Sequence, residues 1–232
     1  DRLLASSSSE INALETVFDI PKEKISRLIS PHDFSTFKKR DRKLAAAKIS
    51  INPDFRYLLS VGRLTKRKGL ESLLEIFNEL QKKYDDLKLI IVGDGPLFEY
   101  IKNFRKEHLL EEKIILTGRL THDVLCYYYN VALTLLHISL GAGVAGVIIE
   151  ASASGLPVIA TTGAGSTNEY VNEKNQNGIL INYGNYDELK NAIVTIIEND
   201  NLYRNFNTNF LNEFSYDAFG KQLSTIYSEL LE

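Results

Sequence analysis

The segment Gly62-Arg63-Leu64-Thr65-Lys66-Arg67-Lys68-Gly69 sets four cations between two glycines. The glycines let the backbone approach a bulky anion, Arg63 can fork onto phosphate oxygens, and Lys68 supplies a point charge. A helix starting here would add free amides. A diphosphate suits such a turn, although a solvated basic turn has the same composition. A second stretch, Gly141-Ala142-Gly143-Val144-Ala145-Gly146, runs into Val147-Ile148-Ile149-Glu150. A glycine-rich loop feeding a helix offers unsatisfied amides and a favourable dipole to phosphate. Glu150, about one turn in, can accept hydrogen bonds from a ribose diol or serve as a partner for the helix dipole.

Gly93-Asp94-Gly95-Pro96 reads as a tight strand-to-helix turn. Phe98 stands where a dinucleotide fingerprint needs its third glycine, which argues against a nicotinamide cofactor. His32, His108, His122 and His137 are scattered, with no carboxylate or cysteine at ligand spacing. No metal and no cofactor are expected, and no Ser/His/Asp arrangement can be assembled. His137, at the end of an apolar run, either enters a ligand crevice or simply packs.

These residues need a scaffold, and the chain has the length and composition for one. Its 232 residues are 44% hydrophobic and 25% charged, as in an ordinary globular protein. A net charge of -3 gives no general attraction to nucleic acid or to an anionic membrane. The lone Cys126 cannot form an internal disulfide, and no apolar run approaches the roughly 18 residues of a membrane span. A reducing, cytoplasmic location is expected. The chain starts at Asp1 and contains no methionine, so a fragment or processed product is expected.

Six short apolar runs, residues 57–61, 87–92, 113–116, 132–136, 157–160 and 178–181, alternate with segments of helical period. Strands buried on both faces look like this. Leu70, Leu73, Leu74, Phe77 and Leu80 form one helical stripe, and Leu189, Ala192, Ile193, Ile196 and Ile197 another. The pattern predicts an α/β, Rossmann-like open parallel six-stranded sheet with helices on both faces. Ligands of such sheets sit at the carboxyl ends of the strands, where the two glycine-rich segments fall. Before this rhythm, helices are expected over residues 10–18 and, solvated, over 38–48. A final helix is expected over 218–231.

In order along the chain, Val61-Gly62-Arg63-Leu64 with Lys68-Gly69, Ile91-Val92-Gly93-Asp94-Gly95-Pro96-Leu97 and Leu116-Thr117-Gly118-Arg119 are followed by Glu150-Ala151. Then come Gly155-Leu156-Pro157-Val158-Ile159-Ala160, Glu169-Tyr170-Val171 and Asn177-Gly178-Ile179-Leu180. This series resembles the C-terminal, donor-binding domain of the GT-B glycosyltransferases, specifically the retaining enzymes of family 4. The resemblance implies that Gly62, Arg63, Lys68, Gly143, Gly146 and Val147 hold a donor diphosphate. It implies that Glu150 binds the ribose and that Arg119 and Leu120 border the nucleobase.

The resemblance further implies residues 1–40 as a remnant of an N-terminal lobe plus linker, 41–215 as the nucleotide-sugar domain, and 216–232 as a helix returning to the missing lobe. The partners implied are a nucleoside diphosphate sugar and a glycan or lipid-linked acceptor, in cell-surface polysaccharide biosynthesis, with the full-length protein at the inner face of the membrane. Without the other lobe, Ile226, Tyr227, Leu230 and Leu231 would expose apolar surface and favour self-association. One departure from the family matters most: its loop glutamate, eight residues before Glu150, is Ala142 here, and the neighbouring loop aromatic is Val144. That leaves the catalytic residue unassigned. It also raises an alternative, a non-catalytic paralogue that acts as a binding or scaffolding partner.

Overall fold

The computed structural model describes residues 2–140, 146–163, 165–172, 174–199 and 203–231. Strand β1 (Leu3–Ala5) pairs in parallel with β2 (Ile25–Arg27), forming a two-stranded sheet of its own. Helix α1 (Ser8–Thr16) lies between them in sequence. It starts two residues earlier than the expected 10 because the serine run is its cap: the Ser7 hydroxyl accepts from the Glu10 amide at 3.1 Å. The Glu10 carboxylate in turn takes the Ser6 amide at 2.7 Å, so donors orphaned at the helix start are satisfied from both sides.

The main sheet contains β3 (Arg56–Val61), β4 (Leu87–Val92), β5 (Ile114–Gly118), β6 (Thr134–His137), β7 (Val158–Thr161) and β8 (Gly178–Ile181). All pairings are parallel, and the spatial order is β5-β4-β3-β6-β7-β8. The six expected strands are present, two with the expected bounds and four with ends moved by one or two residues. In this doubly wound order the direction of winding reverses between β3 and β6, which opens a crevice above their carboxyl ends.

Alternate residues of each strand feed two separate cores. Leu58, Leu89, Ile91 and Leu136 face one side with helices α3 (Leu70–Leu80) and α8 (Tyr186–Glu198). Tyr57, Leu59, Ile90, Val92 and Leu135 face the other. Period-2 alternation between two buried faces explains why the strands read as almost unbroken apolar runs.

The second core is built by α2 (Arg42–Lys48), α5 (His122–Val131) and α6 (Gly146–Ala153), with Phe37 and Phe214. Here the expectation of a solvated helix over 38–48 is corrected. The helix begins at Arg42, after the Asp41 cap, and buries Ala45 and Ala46. Small side chains are what allow α2 to lie close against α5. Ahead of it, residues 38–40 are fastened to α5 by Asn130, whose side chain accepts from the Arg40 amide at 2.6 Å and donates to the Lys38 carbonyl at 3.1 Å. The final helix spans Tyr216–Leu231; Tyr227, Leu230 and Leu231 are exposed, whereas Ile226 is buried, contrary to expectation.

Candidate functional site

The turn after β3 and the turn after β4 meet backbone to backbone. A Cβ on Gly93 would lie 1.9 Å from the Gly62 carbonyl oxygen, so only glycine permits the two loops to approach this closely. This gives Gly93-Asp94-Gly95-Pro96 its structural reason, as a turn that closes against its neighbour. The turn after β3 is also tied to the loop after β6. The Leu140 amide donates to the Arg67 carbonyl at 3.0 Å, and Arg67 Nε donates back to the Leu140 carbonyl at 3.0 Å. Ser139 is held from β7, its amide donating to Thr161 Oγ1 at 3.0 Å. Three loops at the carboxyl ends of the strands are thereby fixed relative to one another.

Above them opens a cleft of about 490 Å³ lined by Gly62, Arg63, Asp94, Arg119, Leu120, His122, Val147 and Glu150, among others. Six of the residues singled out in the sequence therefore share one cavity: Gly62, Arg63, Arg119, Leu120, Val147 and Glu150. Lys68 lies in an adjoining small pocket with Gly62, Arg63 and His137, on a 3₁₀ turn over Lys66–Lys68 that precedes α3. Gly146 opens α6 and packs against the His32 ring. Ala142, Gly143 and Val144 lie outside the described residues.

The electrostatics of the two ends are opposite. Burial lowers the Lys68 pKa, and the neighbouring Arg67 charge lowers it further. Among the described residues neither Arg63 nor Lys68 has a carboxylate partner. His137, at the end of central strand β6, is 6% exposed. Burial, then Lys68, pushes its pKa down to about 3, so it is a neutral imidazole beside the cation. Both alternatives from the sequence hold in part, since His137 is packed and also lines the small pocket.

Glu150 is the fifth residue of α6, beyond the first turn, which removes the reading of a helix-dipole partner. It is 8% exposed, and the Tyr129 hydroxyl donates to its Oε2 at 2.8 Å. Burial raises the carboxyl pKa, while the Tyr129 hydrogen bond and the electrostatic influence of His122 oppose the rise. The histidines, scattered in sequence, are partly gathered by the fold. His122 lines the cleft and interacts electrostatically with both Glu150 and His32. Among the described residues no group of three potential metal ligands forms.

Three residues here were missed in the sequence: His122, which lines the cleft, and Tyr129 and Phe37, which are buried behind it. The Phe37 ring meets His122 edge-on at 5.4 Å and Tyr129 at 5.9 Å. The one available signal was the polar Tyr127-Tyr128-Tyr129-Asn130 run inside an otherwise core-facing helix.

Residues 41–212 match the family described as glycosyl transferases group 1. The chain belongs to this family. An uncharacterized glycosyltransferase of Haemophilus influenzae is 36% identical over 146 residues, which are 63% of this chain and 40% of that protein. The alpha-monoglucosyldiacylglycerol synthase of Streptococcus pneumoniae is 25% identical over 194 residues, 84% of this chain and 43% of the relative. This chain thus spans about two-fifths of the length of these members.

The fold is shared with sucrose-phosphate synthase of Thermosynechococcus elongatus, at a TM-score of 0.85 and 24% identity, covering 100% of this chain and 58% of that one. It is also shared with Anabaena HepE, solved in complex with UDP and glucose, at 0.83 and 20% identity, covering 98% and 62%. These neighbours are GT-B glycosyltransferases. Among the described residues no helix is long and apolar enough to cross a membrane.

Proposed function

We propose that this chain is the donor-binding half of a retaining, family 4 glycosyltransferase that takes a nucleoside diphosphate sugar and passes the sugar to a glycan or lipid-linked acceptor held by another lobe. The observation that carries this reading is the meeting of Arg63, Arg119, Leu120 and Glu150 in one cleft at the sheet's reversal point. In this reading Arg63 and Lys68, with the amides of Gly62, Gly143, Gly146 and Val147, neutralise the diphosphate. They then stabilise it as it departs with the negative charge of the broken glycosidic bond. Glu150 accepts from the ribose hydroxyls, and Arg119 and Leu120 flank the base.

Two relatives support the substrate class. The Anabaena neighbour was solved with UDP and glucose, and the name of the Streptococcus relative specifies transfer to a lipid. By this reading the longer protein works in the cytoplasm against the inner membrane face, and side-chain cations serve where other enzymes use a metal. Calorimetric titration of the chain with UDP, ADP and GDP, with and without EDTA, tests it. One diphosphate should bind regardless of chelator. Arg63→Ala combined with Lys68→Ala should abolish that binding. No binding at millimolar ligand, or binding untouched by the double substitution, overturns the assignment.

Ala142 favours a second reading, a non-catalytic paralogue, because alanine can neither bind a sugar hydroxyl nor offset charge on an oxocarbenium-like centre. Sugar transfer by the full-length protein would dispose of it.

A further inference from the structure

The Tyr129–Glu150 contact is an unusual way to fill a core. Tyr129 is fully buried on α5, and its hydroxyl is spent on a carboxylate of α6. Two apolar side chains would join these helices without desolvating an ionisable group, since buried charges are expensive unless paired and hydrogen-bonded. The arrangement has a direction as well. Tyr129 occupies Oε2, whereas among the described residues Oε1 has no protein partner, and Glu150 lines the cleft. Phe37 packs edge-on against both the Tyr129 ring and the ring of cleft-lining His122, so the tyrosine is braced by a buried residue that also touches the site wall. A preorganised second layer of this kind holds an acceptor in place before ligand arrives.

We infer that Tyr129 is the positioning residue for Glu150: it holds one carboxylate oxygen and leaves the other for the ribose hydroxyls, so that the site selects ribonucleotides over deoxyribonucleotides. The inference rests on the nucleotide-binding reading above. A carboxylate acceptor rewards each hydroxyl that donates to it, and a ligand without hydroxyls leaves the carboxylate buried and unsatisfied. Removing the tyrosine hydroxyl frees Glu150 to rotate and withdraws the hydrogen bond that favours its ionised form.

The test compares UDP, ADP and GDP with their 2′,3′-dideoxy counterparts, by calorimetry, on wild type, Tyr129→Phe, Glu150→Gln and the double variant. Tyr129→Phe keeps the ring and its packing. It should weaken the ribonucleotide that binds by about tenfold, the scale of a hydrogen bond to a charged group. Affinity for the dideoxy form should not change. In the Glu150→Gln background the same substitution should have no further effect.

The pH profile separates positioning from packing. Ribonucleotide affinity should fall with acidification as Glu150 protonates, and in Tyr129→Phe the fall should begin at higher pH. His122 and His32, which also face this carboxylate or each other, are common to both proteins, as are Arg63, Asp94 and Arg119 in the cleft and Lys68 in the adjoining pocket. Equal loss of ribo and dideoxy binding, or no loss, overturns the inference alone. A wild type that binds none of the three diphosphates overturns the functional reading and the inference with it.

Discussion

Replacing Gly93 by alanine tests whether the approach of two turns really builds the site. Gly93 has φ +137°, a conformation that side chains other than hydrogen rarely adopt, and the added Cβ would sit 1.9 Å from the Gly62 carbonyl oxygen and 2.9 Å from its carbonyl carbon. Non-bonded carbon and oxygen need about 3 Å or more, so one turn must retreat by roughly an ångström, which forces strain comparable to overpacking a core, about 1–3 kcal/mol. The backbone conformation adds about 1–3 kcal/mol.

The control is Gly118→Ala. Gly118 also has positive φ, +73°, but open space where its Cβ would go, so it should lose only the backbone term, about 1 kcal/mol. Urea denaturation should place Gly93→Ala about 2–6 kcal/mol below wild type, or roughly 5–20 °C lower in Tm for a chain of this size. Because Gly62 and Arg63 ride on the displaced turn, nucleotide affinity should fall in Gly93→Ala and hold in Gly118→Ala. If the two variants differ by less than about 1 kcal/mol, or Gly93→Ala retains full affinity, the account of how these loops position the cations is wrong.

Lys68→Met should raise thermal stability at pH 7 while weakening nucleotide binding: a lysine whose folded pKa lies below its unfolded value is penalised as long as it is charged. The stability gain should vanish as pH rises through 10.5, and a variant no more stable than wild type at pH 7 would refute the claim. His137→Leu should remove an acid sensitivity. Wild type loses stability as pH falls below 6.5 towards 3, because the unfolded chain takes a proton that buried His137 refuses. The variant should therefore gain about 2 kcal/mol relative to wild type between pH 7 and pH 5 in urea melts.

Which features could be read from the sequence follows from how far apart the cooperating residues lie. Arg63 and Lys68 are local to one turn, and strand ends in a parallel sheet point at ligand, so chemistry and position coincide within eight residues. The strands were equally legible, because burial on both faces leaves an unmixed apolar signature. The 38–48 helix was misread as solvated because its buried face is made of Ala45 and Ala46, which carry little hydrophobic signal. Phe37, Tyr129 and Glu150 meet only after residues 38–40 are stitched to α5 by Asn130 and α5 is laid beside α6. No spacing rule reaches from position 37 to 150. The prior hints at Glu150, its place after a glycine loop and in the family's motif series, gave its location but not its partner.

The perturbed groups share a logic that no single residue shows. Lys68 is pushed towards its neutral form by burial and by Arg67, and Glu150 is pushed towards its neutral form by burial. Within the protein Glu150 is partly compensated by Tyr129 and His122, and Lys68 has no carboxylate partner among the described residues. The two groups sit in adjoining pockets that share Gly62 and Arg63. A ligand with an anion at one end and hydrogen-bond donors at the other relieves both penalties at once, and a nucleoside diphosphate has that polarity: phosphates towards Lys68, ribose hydroxyls towards Glu150. A ligand carrying only one of these features relieves one penalty and leaves the other standing. Inorganic pyrophosphate and the free nucleoside should therefore each bind far more weakly than the diphosphate that joins them.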